Sequence, residues 1–299
     1  MFGIQIAAGK LDFVVKCCEL LSDYVDADFI DLNCGCPIHQ VCYRGMGSGL
    51  MQKPNKIEEL AQGMIAACEG GSKCVPLVTV KMRMGFNADE LIAHRIAQRM
   101  EAIGVAAITV HGRTRAQRYT KVANWEYINL CCNSVKIPVI GNGDVYSYHD
   151  YSEHLKATNV RSMMIGRGAL IKPWLFQEIK EQRDWDISAA ERLDILKDFV
   201  KFGFDHWGAD EKGVSFTRRF ILELLSFTHR YVPVGLLEVL PQKLNQRIPS
   251  YFGRSDLETL MASPKVEDWI KIQSLVLGPA PPGFTFIPKH KSNSVDAEG

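Results

Sequence analysis

Up to Lys180, short runs of β-branched and apolar residues alternate with longer stretches whose apolar positions recur at helical spacing. This is the pattern of repeated strand–helix units around a parallel sheet. The runs predict six strands, at Gly3–Ala8, Phe29–Asn33, Leu77–Arg83, Ala106–His111, Pro138–Asn142 and Ser162–Gly166. The segments between them read mostly as helices, and Leu60, Met64, Ile65 and Cys68 trace the apolar face of one of these. Past Trp185 the strand pattern stops. Leu193, Leu196 and Val200 predict one face of a first helix, and Phe216, Phe220, Leu224 and Phe227 one face of another after the link Gly208–Gly213. The expected organisation is an α/β domain over 1–185, a helical domain over 186–277, and a proline-rich segment with a disordered polar tail over 278–299.

Polar residues or glycines stand at the carboxyl end of nearly every predicted strand, where a TIM (β/α)8-type barrel keeps its active site. An open doubly wound sheet puts ligands at the same end, so placement alone leaves both architectures open, with the barrel favoured. Six strands fall short of the eight of a closed barrel, and the first begins at the third residue. The expectation is therefore a barrel whose first strands are missing, or else an open sheet.

Composition narrows the partners. With 46% apolar residues, 35 Lys and Arg, and 34 Asp and Glu, the formal charge is only +1, so a nucleic acid must be met by a local basic face. Between Lys212 and Arg254 there are seven Lys or Arg and two acids, Glu223 and Glu238, which supplies such a face. No apolar run approaches the roughly 18 residues of a membrane span, and the opening residues lack a signal-peptide layout. An intracellular protein of the cytoplasm or nucleus is expected. The cysteines number nine, an odd count, and no C-x-x-C occurs, so neither a disulfide framework nor a metal site is expected.

Cys36 is the thiol set apart by its surroundings, in Asn33-Cys34-Gly35-Cys36-Pro37 on a turn at a strand end. Strand alternation puts Cys34 on the face opposite Asn33, as a packing residue. Gly141-Asn142-Gly143-Asp144 and Gly166-Arg167-Gly168-Ala169 follow the last two strands, where barrels often hold a phosphate. Lys81 and His111 point into the same mouth, and with Cys36 they make a redox or an acid–base site.

These segments, in order and spacing, resemble the tRNA-dihydrouridine synthases. Asp31 to Pro37, Gly45-Met46-Gly47-Ser48-Gly49-Leu50, Val80-Lys81-Met82-Arg83, His111-Gly112-Arg113-Thr114 and the two glycine pairs carry the likeness. Arg113 to Lys121, Lys172 to Phe176, Trp185 to Ser188 and Arg230 to Leu237 are similar to the eukaryotic type 3 branch, which acts at position 47 of the tRNA variable loop. The resemblance implies a TIM barrel holding FMN, reduced by NADPH, and hydride transfer to a uridine extruded from tRNA. It implies FMN contacts from Gln5, Asn33, Lys81 and His111, and ribityl or phosphate contacts from Asn142, Gly143, Asp144, Gly166 and Arg167. Cys36 becomes the general acid toward C5 of the uridine. Candidate RNA contacts are Arg113, Arg115 and Arg118 near the mouth and Arg218, Arg219, Arg230, Lys243 and Arg247 in the helical domain. Messenger RNA is a further candidate substrate. The family carries two further strands upstream, and its type 3 branch zinc modules, neither of which is in this sequence. Alternative readings are a truncated, non-catalytic RNA-binding remnant and a flavin barrel that reduces a small pyrimidine.

Overall fold

The computed structural model describes residues 1–243, 248 and 250–289. Six parallel strands, β1 (Gly3–Ile6), β2 (Phe29–Cys34), β3 (Leu77–Arg83), β4 (Ala107–His111), β5 (Val139–Asn142) and β6 (Ser162–Met164), form one sheet in sequence order. A doubly wound sheet reverses its strand order at a switch point, and this one does not. The winding is that of a (β/α) barrel, and the six predicted strands are all present. β1 and β6 each stop two residues earlier than expected, at Ile6 and Met164.

Strand alternation divides the sheet into two chemically different faces. Ile30, Leu32 and Cys34 of β2, Val78, Val80 and Met82 of β3, and Ile108 and Val110 of β4 are buried in the main core. Helices Leu11–Tyr24, Pro54–Glu69, Ala93–Ala102 and Trp125–Asn133 contribute to that core through residues such as Val14, Leu60, Ile96 and Ile128. In Pro54–Glu69 the buried positions Ile57, Leu60, Ala61, Met64 and Cys68 keep the expected helical spacing, and proline opens the first turn, where no N–H is needed. Each large apolar side chain so buried contributes about 1.5–3 kcal/mol. The opposite face carries the polar side chains Gln5, Asp31, Asn33, Thr79, Lys81, Thr109, His111 and Asn142, together with apolar ones such as Phe29, Leu77 and Ile140.

The chain divides into two compact units. Unit 1 comprises residues 1–145 and 150–165, and unit 2 comprises 146–149 and everything from Gly166 onward. The boundary expected at 185 therefore lies earlier in the structure. The cause is a second core in which Tyr146, Ile171 and Trp174 pack with Ile187, Phe227 and Tyr231. Gly166 and Arg167, expected in the α/β domain, belong to unit 2.

Within unit 2, helix Ala189–Trp207 opens on a capping box between Ser188 and Glu191, and helix Glu211–Thr228 on Asp210, whose side chain accepts from Gly213 N. The buried face of the latter is Thr217, Arg218, Ile221, Leu222 and Leu225, joined by Phe227. Phe216 and Phe220, expected inside, are 41% and 42% exposed, with the Trp207 ring stacked 4.8 Å from that of Phe220. The helix is apolar on two sides, and the aliphatic side meets Leu196, Val200, Trp269 and Ile272. Helix Val266–Leu277 ends at Gly278 (φ 82°), as the following prolines require. The segment after it is not loose, because Arg218 donates to Gln273 Oε1, to Gly278 O at 3.2 Å and to Pro279 O at 3.1 Å, and Phe284 and Phe286 pack on the helical core. Of the disordered tail expected over Lys289–Gly299, Lys289 donates its N–H to the Glu223 carboxylate at 3.2 Å, and 290–299 lie outside the described residues.

Candidate active site

The mount of Cys36 is built from backbone. Asn33 Oδ1 accepts from the N–H of Gly35 at 3.0 Å and of Cys36 at 2.9 Å, the local closure that asparagine favours in turns. Arg83 Nε donates to Gly35 O at 2.8 Å. On the far side, Cys36 O accepts from Ser48 N at 3.0 Å, Ser48 Oγ at 2.8 Å and Cys42 Sγ at 3.5 Å. The thiol-bearing residue is thus pinned at its own N–H and C=O while its side chain stays half-buried. Cys34 is fully buried, and burial pushes its thiol well above the ordinary range, as a packing role demands.

Gly47 permits this close approach. Its φ is 58°, and a Cβ there would stand 2.8 Å from Cys36 O and 3.0 Å from Cys36 Cβ. Gly47→Ala is expected to cost about 1–3 kcal/mol through left-handed strain and displacement of Cys36. Thermal unfolding and the alkylation rate of Cys36 check this. An unchanged rate would show that the loop does not fix the thiol.

The polar face continues as a row of hydrogen bonds. Thr79 Oγ1 donates to Asp31 Oδ1 at 2.7 Å, Gln5 Nε2 to Asp31 Oδ2 at 2.7 Å, and Asn33 Nδ2 to Gln5 Oε1 at 2.8 Å. Further along, Lys81 Nζ donates to Asn142 Oδ1 at 3.0 Å, and Asn142 Nδ2 to Met164 O at 2.8 Å. Burial pushes the Asp31 carboxyl up, against the pull of its two donors. Burial, helped by the Arg83 charge, brings the Lys81 ammonium down to about 8. The structure therefore brings Gln5, Asn33, Lys81 and Asn142 into one polar row beside the Cys36 turn.

His111 lies at the end of β4, with Arg113 Nη1 3.4 Å from its Nε2 and the Tyr119 ring centroid 6.4 Å away. Arg113 is 1% exposed and donates to Asp144 Oδ2 at 2.6 Å, Thr120 O at 3.2 Å and Lys121 O at 2.5 Å. Asp144 Oδ2 also accepts from Ala123 N at 2.7 Å. Two expectations change accordingly. Arg113 is an internal clamp and not an RNA contact, and the carboxylate of Asp144 is spent on that clamp. Gly143 (φ 136°) and Asp144 (φ 51°) hold consecutive positive φ values, and the first of them is a backbone that only glycine adopts without strain.

Among the other expected RNA contacts, Arg218 and Arg230 are buried, so a phosphate role does not suit them. Arg118, Arg219 and Lys243 are exposed, Arg115 is half-buried with its guanidinium over the Phe86 ring at 4.9 Å, and Arg247 lies outside the described residues. In unit 2 the Arg167 guanidinium lies 5.5 Å from the Tyr146 ring centroid.

Three contributors were not singled out from the sequence. Arg83 ties Gly35 O to Thr114 O and Arg118 O, both at 2.9 Å, Asp31 anchors the polar row, and Ser48 holds Cys36 O. Alternation was a usable signal for two of them, since Arg83 shares a face with Lys81, and Asp31 with Asn33. For Ser48 there was none, because its contact spans a loop. Among the described residues no three His, Cys, Asp or Glu side chains form a metal-holding group, and no helix is long and apolar enough to cross a membrane.

Fold and site together define a barrel-type α/β protein with a pinned thiol beside a polar, cation-bearing sheet face. The model of the dihydrouridine synthase family matches residues 1–210, and the chain belongs to that family. It is 53% identical over 98% of its length to a Xenopus laevis protein described as tRNA-dihydrouridine(47) synthase, NAD(P)(+)-like, of which 45% is covered. A human protein of the same description is 52% identical over 98% of the chain, with 44% of its own length covered. A Coprinopsis cinerea tRNA-dihydrouridine(47) synthase is 48% identical over 100% of the chain, with 45% covered. The chain thus spans about 45% of the length of the curated relatives it matches.

Proposed function

We propose that this chain carries the catalytic machinery of a tRNA-dihydrouridine synthase, which reduces the C5=C6 bond of uridine with FMN and NADPH, at position 47 of the variable loop. The observation that carries the reading is the double pinning of Cys36, by Asn33 on one side and Ser48 on the other, next to the row Gln5, Asn33, Lys81 and Asn142. Position 47 rests on the relatives' descriptions and on the likeness across Arg113 to Lys121.

The residues present fit a flavin. Gln5 and Asn33 offer amide donors and acceptors on one strand-end row, and Lys81 adds a cation. When bound, FMN supplies the hydride that C6 accepts. Lys81 and Gln5 orient the cofactor edge, and Asn33 and Ser48 hold Cys36 still. The Cys36 Sγ–H gives its proton to C5 and takes it back from solvent afterwards. The exposed cations Arg118, Arg219 and Lys243 are the phosphate contacts in this reading, so tRNA affinity falls steeply with added salt.

The test is the visible absorbance of the purified chain after FMN is added and the excess removed, followed by assay of dihydrouridine in tRNA. A retained flavin band with tRNA reduction is expected. A colourless protein inactive on tRNA would overturn the catalytic reading for these residues.

Lys81 gives this site a pH signature. Its ammonium is present below about 8 and lost above, so affinity for the anionic cofactor is expected to fall as pH rises through that value, by at most about tenfold per unit. Titration of flavin binding from neutral to alkaline pH checks this, with Lys81→Met expected to flatten the curve.

A further inference from the structure

We propose that Asp31 is a positioning residue for Cys36, acting through Gln5 and Asn33 by fixing which way their two amides face. The proposal rests on the reading of Cys36 as proton donor. Asp31 lies on β2 in register with Gln5 of β1 and Thr79 of β3, so its carboxylate meets a donor from each neighbouring strand. It is 5% exposed. A buried carboxylate held by neutral donors is a costly way to fill such a position, and an apolar residue would serve packing better.

Its particular property is that, ionised, it only accepts hydrogen bonds. Thr79 is therefore obliged to donate to Oδ1, and Gln5 to turn Nε2 toward Oδ2. With Nε2 so committed, Gln5 presents Oε1 to Asn33, and Asn33 answers with Nδ2. That leaves Asn33 Oδ1, and not its amide nitrogen, facing the N–H groups of Gly35 and Cys36. A group that both donates and accepts at position 31 removes the constraint. Both amides are then free to reverse, and a reversed Asn33 sets N–H against N–H at the turn that carries the thiol. Asp31 thus acts at one end of a chain whose other end is the Cys36 backbone, and it touches no reacting atom.

The test uses the flavin-free chain first. Iodoacetamide labelling, resolved by peptide mass, compares Cys36 with Cys132, a half-buried thiol on helix Trp125–Asn133 that serves as an internal reference. Asp31→Asn is expected to raise the Cys36 rate about tenfold, the effect of losing one neutral hydrogen bond, and to leave Cys132 unchanged. Gln5→Met cuts the relay at an exposed residue without disturbing the buried carboxylate, and the same rise is expected. Thr79→Ser keeps the hydroxyl donor and is expected to match the parent. With FMN bound, Asp31→Asn is expected to slow uridine reduction more than flavin reduction by NADPH. A Cys36 rate unchanged or lowered in both Asp31→Asn and Gln5→Met, or a parallel rise at Cys132, overturns the proposal. Absence of uridine reduction in the parent protein overturns the proposed function instead, and leaves the labelling result to decide the role of Asp31.

Discussion

Cys36→Ala is expected to leave NADPH reduction of bound flavin intact and to lower uridine reduction about 10²- to 10⁴-fold, the range over which a positioned general acid contributes. The variant is well posed because every bond that holds residue 36 in place uses its N–H or C=O. Alanine keeps these and removes only the thiol. Stopped-flow bleaching of the flavin by NADPH, followed by its reoxidation with tRNA, reads the two half-reactions separately. Equal loss in both would end the assignment of Cys36 as proton donor. Cys34→Ala is the matched control, since its thiol faces the core and burial holds it in the neutral form. It is expected to cost stability and to leave the ratio of the two half-reactions unchanged.

Asp144→Ala is expected to destabilise the chain by about 3–5 kcal/mol, seen as a Tm lower by roughly 10 °C, because it leaves the buried Arg113 guanidinium without its anion. The side chains of the pair are 1% and 9% exposed, so solvent cannot replace the lost charge. Arg113 also binds Thr120 O and Lys121 O, and Asp144 also holds Ala123 N, so the loop after β4 depends on the pair. The double variant Arg113→Met/Asp144→Leu is expected to recover only part of the loss, since it removes the unpaired charge but still leaves Thr120 O, Lys121 O and Ala123 N without these partners. Should Asp144→Ala unfold at the parent temperature and only weaken FMN binding, the carboxylate would be a cofactor contact and not a clamp.

The sequence by itself determined the six strands and their order along the chain. Alternation of side chains carries that information locally, and a stretch such as Ile30-Asp31-Leu32-Asn33-Cys34 declares both faces at once. It likewise set Cys36 apart from Cys34, because a glycine and a proline end the alternation between them. The motif runs then fixed the family.

Only the tertiary structure decided which cations are free. Arg113, Arg118, Arg218 and Arg219 look alike in sequence, yet Arg113 and Arg218 are enclosed by carbonyls and side chains from distant segments while Arg118 and Arg219 face solvent. In helix Glu211–Thr228 two apolar stripes compete, and the choice of Ile221 and Leu225 over Phe216 and Phe220 was made by the surfaces of Leu196, Val200 and Ile272. The grip of Ser48 on Cys36 and the relay from Thr79 through Asp31 and Gln5 to Asn33 are of the same kind. Periodicity reports which face a residue is on, but a hydrogen-bond partner is set by where separate strands and loops come to rest, and no local pattern encodes that distance.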